Sequence, residues 1–210
     1  MLKQKQISLF VKPLVFLLCL MPFASLVYGA INDDLGTNPV ETLTHETGQW
    51  ALRFLLIGLC ITPLRRVLEM NWLIKLRRML GLFAFFYAVL HFITYIWLDQ
   101  FFDWAEILID IPKRPFITIG FVSILLLMPL AFTSSNAMQR RLKKRWSKLH
   151  KLVYVIPVLV IIHFTWSLKA DFSEPVIYAF VFLTLMLTRV FYHYRQRMKK
   201  ATMGLPATNQ

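Results

Sequence analysis

Six long apolar stretches, separated by short polar connections, leave this chain few ways to fold. They cover approximately residues 10–30, 50–64, 79–98, 116–132, 152–168 and 175–194. A helix crossing a hydrocarbon layer of about 30 Å needs about 20 mostly apolar residues, with a range of about 17–25. Four stretches meet this length comfortably. The second is short unless residues 47–48 and 65–68 belong to its ends. Backbone amides find no water inside the layer, so each stretch is expected to be a helix that satisfies its own hydrogen bonds. At 57% hydrophobic and 17% charged, the 210 residues carry more apolar surface than a soluble domain of that size can bury. The expected fold is an all-α, polytopic membrane helix bundle of about six transmembrane helices.

The formal charge of +13 is distributed unevenly between the connections. Nineteen of the 24 basic residues lie before or at the start of the first stretch, after the sixth, and in the second and fourth connections. The opposite connections hold only Lys113, Arg114 and Lys169, while Arg53 and Arg189 fall inside spans. The positive-inside rule therefore places both termini in the cytoplasm of a bacterial inner membrane. The expected organisation is a cytoplasmic N-terminus over 1–9, a transmembrane domain over 10–195 and a cytoplasmic tail over 196–210. Residues 1–30 also have the outline of a signal peptide. Tyr28 fits a small-residue cleavage site poorly, however, and the run is long enough to be kept as a first helix. The basic run 139–151 lies between two spans, where it reads as an orientation signal on anionic membrane lipid rather than a nucleic-acid site. Cys19 and Cys60 sit in separate spans with no metal-binding spacing. No Gly-rich phosphate loop is present, so nicotinamide chemistry has to come from another protein.

The chemistry-bearing residues are histidines. His91 lies 12 residues after Met79 in the third stretch, and His163 lies 11 after Leu152 in the fifth. Both stretches run in the same direction. At about 1.5 Å per residue, the two imidazoles share a depth of roughly 17–18 Å from the cytoplasmic ends. Ionisable side chains in a bilayer are costly and mark functional paths. A matched pair suits the two axial positions of one haem iron, within apolar, aromatic walls. Hydrogen bonding to a neighbouring helix remains the plainer account of either histidine alone.

His150 precedes His163 by 13 residues, about 20 Å along a helix. That offset would suit a second cofactor near the inner surface. On an ideal helix the two would lie some 220° apart, although Pro157 between them can change the phase by a kink. The corresponding level of the third stretch carries Arg77 and Arg78 and no histidine. These arginines suit haem propionates or a flavin phosphate, and equally suit ordinary orientation signals. His45 is expected in a solvated outer loop, His193 at the interface, and Arg53 beside Glu46 or a propionate. The outer acids Asp99, Asp103, Glu106 and Asp110 form a possible docking surface for an acceptor, or a merely solvated loop. No convincing internal repeat is visible.

Four segments, NPVETLTHETGQWAL (38–52), RRMLGLFAFFYAVLHF (77–92), KRPFITIGFVSILLLMPLAFTS (113–134) and WSKLHKLVYVIPVLVIIHF (146–164), carry a resemblance in order along the chain. They resemble the MsrQ (YedZ) family, the haem-binding membrane subunits of the periplasmic protein-methionine-sulfoxide reductase system, within the ferric-reductase-like transmembrane group. The resemblance implies one or two b-type haems, with ligand roles carried to His91, His163 and His150, and a bound FMN. It implies electrons from the quinone pool or a cytoplasmic flavin reductase, delivered to the periplasmic molybdopterin enzyme MsrP. The expected role is electron relay, with no substrate bond broken by this chain. A ferric-chelate reductase core would need a flavin and nucleotide domain not seen here. A transporter would be favoured by a colourless protein indifferent to histidine replacement.

Overall fold

The computed structural model describes residues 10–202, side chains through Lys199, and among them every regular element is helical. The elements are α1 (Lys12–Ile31), α2 (Pro39–Val67), α3 (Arg77–Thr94), α4 (Trp104–Lys113), α5 (Pro115–Phe132), α6 (Asn136–Leu142), α7 (Lys144–Leu149), α8 (Ile156–Ser167) and α9 (Ser173–Thr202). Among the described residues, six continuous helical stretches are long and apolar enough to span a membrane: Lys12–Ile31, Pro39–Val67, Arg77–Asp99, Pro115–Phe132, Lys144–Ser167 and Ser173–Lys199. The chain is a multi-pass membrane protein. The boundary expected at residue 9 lies outside the described residues, whereas α9 passes through the one expected at 195 without a break.

The second span is the one whose length departs most from expectation. It is 29 residues long because Asn38 caps it, with its side chain accepting from the Glu41 amide, and Pro39 occupies the first turn. Pro tolerates that position because the amide it lacks has no partner there in any helix. His45 is therefore on α2 and not in a loop, which corrects the earlier expectation.

The main core lies where α2 and α3 pack. Phe54 stacks on Tyr87 at 5.3 Å, and Phe83 lies 5.8 Å from Phe54. Tyr87 is fully buried. Its hydroxyl accepts from the Phe23 amide and donates to the Cys19 carbonyl, both at 2.9 Å. Those two backbone groups would ordinarily bond each other across one helical turn. The tyrosine is thus inserted into the hydrogen-bond ladder of α1 beside Pro22, joining α1 to α3 without leaving an amide unpaired in the apolar interior.

A π-helical turn, Tyr95–Asp99, ends the third span, and Phe101 and Phe102 then take left-handed backbone conformations. The amphipathic helix α4 follows. Asp103 caps it by accepting from the Ala105 and Glu106 amides. Asp110 is buried, pairs with Arg114 at 2.8 Å and accepts from the Tyr95 hydroxyl. Two of the four acids read as a docking surface, Asp103 and Asp110, therefore hold this connection together. Asp99, Asp103 and Glu106 are exposed, and of these Asp99 and Glu106 take no part in holding α4.

Candidate functional site: a histidine pair in an interhelical cavity

Small side chains open the interior. Gly48 and Ala51 of α2, Ala88 of α3, and Gly120 and Ser123 of α5 border a cavity of about 540 Å³. His91 and His163 both line it, together with apolar residues such as Leu55, Leu127 and Ile156 at its deep end. Their ring centres are 6.0 Å apart and the ring planes are inclined at 75°.

Each imidazole is oriented by a backbone carbonyl of the facing helix. His91 Nδ1 donates to the Thr44 carbonyl at 2.9 Å, and His163 Nδ1 donates to the Phe116 carbonyl at 2.7 Å. A carbonyl only accepts, so the proton must sit on Nδ1, and each Nε2 keeps its lone pair. Histidines that bind metals are held in this way, by a second hydrogen bond on the nitrogen away from the ion. The Thr94 hydroxyl adds support, donating to the His91 carbonyl and accepting from Thr44.

The two halves of the site repeat one another. In both, the carbonyl acceptor precedes its histidine by 47 positions, and a glycine follows the acceptor by four: Thr44 then Gly48, Phe116 then Gly120. A side chain at either glycine would strike the imidazole. An added Cβ would lie 3.1 Å from His91 Nδ1 in the first case and 2.7 Å from His163 Cε1 in the second. The repetition is spatial, and the residues around it differ enough that the linear chain shows no repeat.

The ring separation limits the chemistry. An imidazole nitrogen binds a transition metal at about 2.0–2.1 Å, and its ring centre lies roughly 1.1 Å farther, so two imidazoles on opposite sides of one ion have centres about 6.3 Å apart. The observed 6.0 Å is close to that value. Imidazoles hydrogen-bonded directly or stacked on each other would sit differently, and here each Nδ1 is already occupied by a carbonyl.

His150 stands apart from this pair. Its Nε2 is 3.1 Å from the Thr133 hydroxyl, and its ring stacks on Trp146 at 4.0 Å. Trp146 Nε1 in turn donates to the Thr133 carbonyl. Residues His150–Tyr154 form a 3-10 turn, with Pro157 in the first turn of α8 beyond it. A 3-10 residue advances about 120° rather than 100°, so five of them add roughly 100° to the ideal phase. That brings His150 to within about 40° of the face that carries His163. Both histidines accordingly meet α5, His163 at Phe116 and His150 at Thr133 just past its end. The 3-10 turn, rather than a kink at Pro157, produces the phase change.

Arg77 lies within electrostatic reach of His150 and of Arg189. Arg78 donates to Asn136 at 3.4 Å. Arg53 lies over Trp50, 3.7 Å from Glu46, and donates to the Tyr178 hydroxyl. The pairing with Glu46 expected from the sequence is therefore formed. Arg189, inside the last span, donates to the Tyr154 hydroxyl and the Leu59 carbonyl, both at 2.6 Å. His45 borders the mouth of the cavity, and His193 is exposed on α9.

Comparison with known proteins identifies the family. The family described as ferric reductase like transmembrane component matches residues 47–161, a segment that takes in His91 and His150. A protein of Herminiimonas arsenicoxydans called "Protein-methionine-sulfoxide reductase heme-binding subunit MsrQ" is 52% identical over 197 residues, covering 92% of this chain and 90% of that protein. The chain belongs to the MsrQ family. Proteins with the same description from Polaromonas naphthalenivorans and Azospira oryzae are 48% and 45% identical, over 91% and 95% of this chain and 89% and 87% of their own lengths. No solved structure matches the chain significantly. Membership of the MsrQ family supports a membrane electron-transfer role for the bundle that carries the histidine pair.

Proposed function

We propose that this chain holds a b-type haem between His91 and His163 and relays electrons across the inner membrane to a periplasmic methionine-sulfoxide reductase of the MsrP type. The observation that carries this reading is the pair of imidazoles, 6.0 Å between centres, each with Nδ1 bonded to a carbonyl and both lining one cavity. Bound haem would supply one-electron chemistry, its potential set by the axial ligands and the surrounding shell.

The protein's part is positional. Thr44 and Phe116 fix the tautomer and aim of the ligands, Gly48 and Gly120 let the helices approach, and Leu55, Leu127 and Ile156 keep water from the deep end. The asymmetry of basic residues supports an orientation with both chain ends in the cytoplasm. In that orientation the cavity mouth faces the periplasm. The donor, quinol or a cytoplasmic flavin reductase, and a bound FMN rest on family likeness. His150 is the proposed ligand of a second, inner position, with Arg77 and Arg78 as cations for a propionate or phosphate there.

The test is an absorption spectrum of the detergent-purified protein before and after reduction. A low-spin b-type signal is expected, largely lost in His91→Ala and in His163→Ala and only partly reduced in His150→Ala. Full haem content in all three variants would refute the ligand assignment.

A further inference from the structure

The cavity is polar at one end only. Its deep part is closed by aliphatic side chains, while its mouth, at the end of the bundle carrying the first, third and fifth connections, is bordered by Glu41, His45, Asp99, Arg114 and Lys169. Just three basic residues occupy the outer connections, Lys113, Arg114 and Lys169. Two of those three border this one opening. Orientation in the membrane does not require them, since the positive-inside rule acts against basic residues on that side.

Their existing partners differ. The Arg114 Nε donates to Asp110, a buried carboxylate, so part of that guanidinium is committed. Lys169 lies in the connection between α8 and α9, is exposed, and makes no ion pair with any described residue. Two carboxylates, Glu41 and Asp99, border the same mouth and would repel an anion placed there without a cation. A tetrapyrrole held by His91 and His163 brings two carboxylates of its own. They cannot be left among Leu55, Leu127 and Ile156, because burying an unpaired carboxylate costs far more than the apolar contacts return.

We infer that Lys169, assisted by the uncommitted edge of Arg114, is the anchoring cation for the carboxylates of a haem seated with its polar edge toward the mouth and its apolar edge inward. This rests on the haem reading above. It adds a direction to it: the carboxylate edge faces the end of the bundle away from Arg77, Arg78 and His150.

The experiment is a spectroelectrochemical titration of the full-length protein in lipid nanodiscs. The parent is compared with Lys169→Met, Lys169→Glu, Lys169→Arg and, as a control on the same surface, Lys113→Met. Reduction removes one positive charge from the iron, so a nearby cation favours the reduced form. Lys169→Met is expected to lower the midpoint potential, and Lys169→Glu to lower it further and hasten haem loss on dilution. Lys169→Arg and Lys113→Met should keep the parent value, and the low-spin spectrum should persist in all of them. Unchanged potentials in Lys169→Met and Lys169→Glu would overturn the inference while leaving the histidine pair intact. So would an equal shift in Lys113→Met, which would mark a general surface field. A parent protein devoid of haem would overturn the underlying reading as well.

Discussion

Replacing Gly120 with alanine is the sharpest single perturbation of the histidine pair. The new methyl group would lie 2.7 Å from His163 Cε1 and 2.8 Å from Nδ1. An ordinary carbon–carbon contact is about 3.5 Å or longer, so ring and helix must separate by roughly 0.8 Å. The ring cannot turn aside cheaply, because its Nδ1 is tied to the Phe116 carbonyl of the same helix at 2.7 Å. A displacement of that size is a large fraction of a coordination bond of about 2 Å. Overpacking of this kind costs about 1–3 kcal/mol. If the strain falls on the bound state, haem affinity drops by roughly 5- to 150-fold. At Gly48 the corresponding contact is 3.1 Å, and a shift of about 0.4 Å relieves it, so Gly48→Ala should be the milder change. Alanine is intrinsically favoured over glycine in a helix by about 0.5–1 kcal/mol. That gain offsets part of the strain, so the haem-free bundle should melt only slightly earlier, and haem loss well beyond that small shift separates a site effect from general unfolding. The assay is haem content per protein with dissociation followed after dilution, alongside ferric low-spin EPR and thermal melting. Parent-like affinity and EPR in Gly120→Ala, or a larger effect from Gly48→Ala, would refute the reasoning.

Tyr87→Phe removes the hydroxyl that connects the Phe23 amide and the Cys19 carbonyl, and is expected to destabilise the bundle by about 1–2 kcal/mol in a detergent unfolding titration, by loosening α1. An unchanged midpoint would show that those backbone groups simply re-form the helical bond. Asp110→Asn breaks the pair with Arg114 and should expose the α4 connection to proteolysis while leaving the haem spectrum intact; no gain in cleavage would show that the pair does not hold α4. Joint neutralisation of Asp99 and Glu106 should instead slow electron delivery to the periplasmic acceptor without altering stability, and an unaltered transfer rate would remove the docking role from these acids.

The places where the linear reading went astray have local explanations. The polar stretch Thr44-His-Glu-Thr-Gly reads as a loop, yet the stronger signal is Asn38-Pro39, a capping residue followed by a proline in the first turn, which carries His45 onto α2. The helix α4 carried a similar cue in Asp103, and its acids looked like a solvated cluster because pairing with Arg114 and Tyr95 is invisible without the turn that precedes it. The phase of His150 depended on a 3-10 turn that no residue in that segment announces.

Span number, order and the common depth of His91 and His163 were determined by the chain itself, because apolar run length and rise per residue are local quantities and both helices ascend in the same sense. How each helix is rotated about its axis was decided only by the assembled bundle. In a lipid-facing chain, apolar side chains point both inward and outward, so hydrophobicity cannot mark the inner face. Packing of Gly48 against His91 and Gly120 against His163 sets it instead, and turns two imidazoles at equal height into a pair that one metal ion can join.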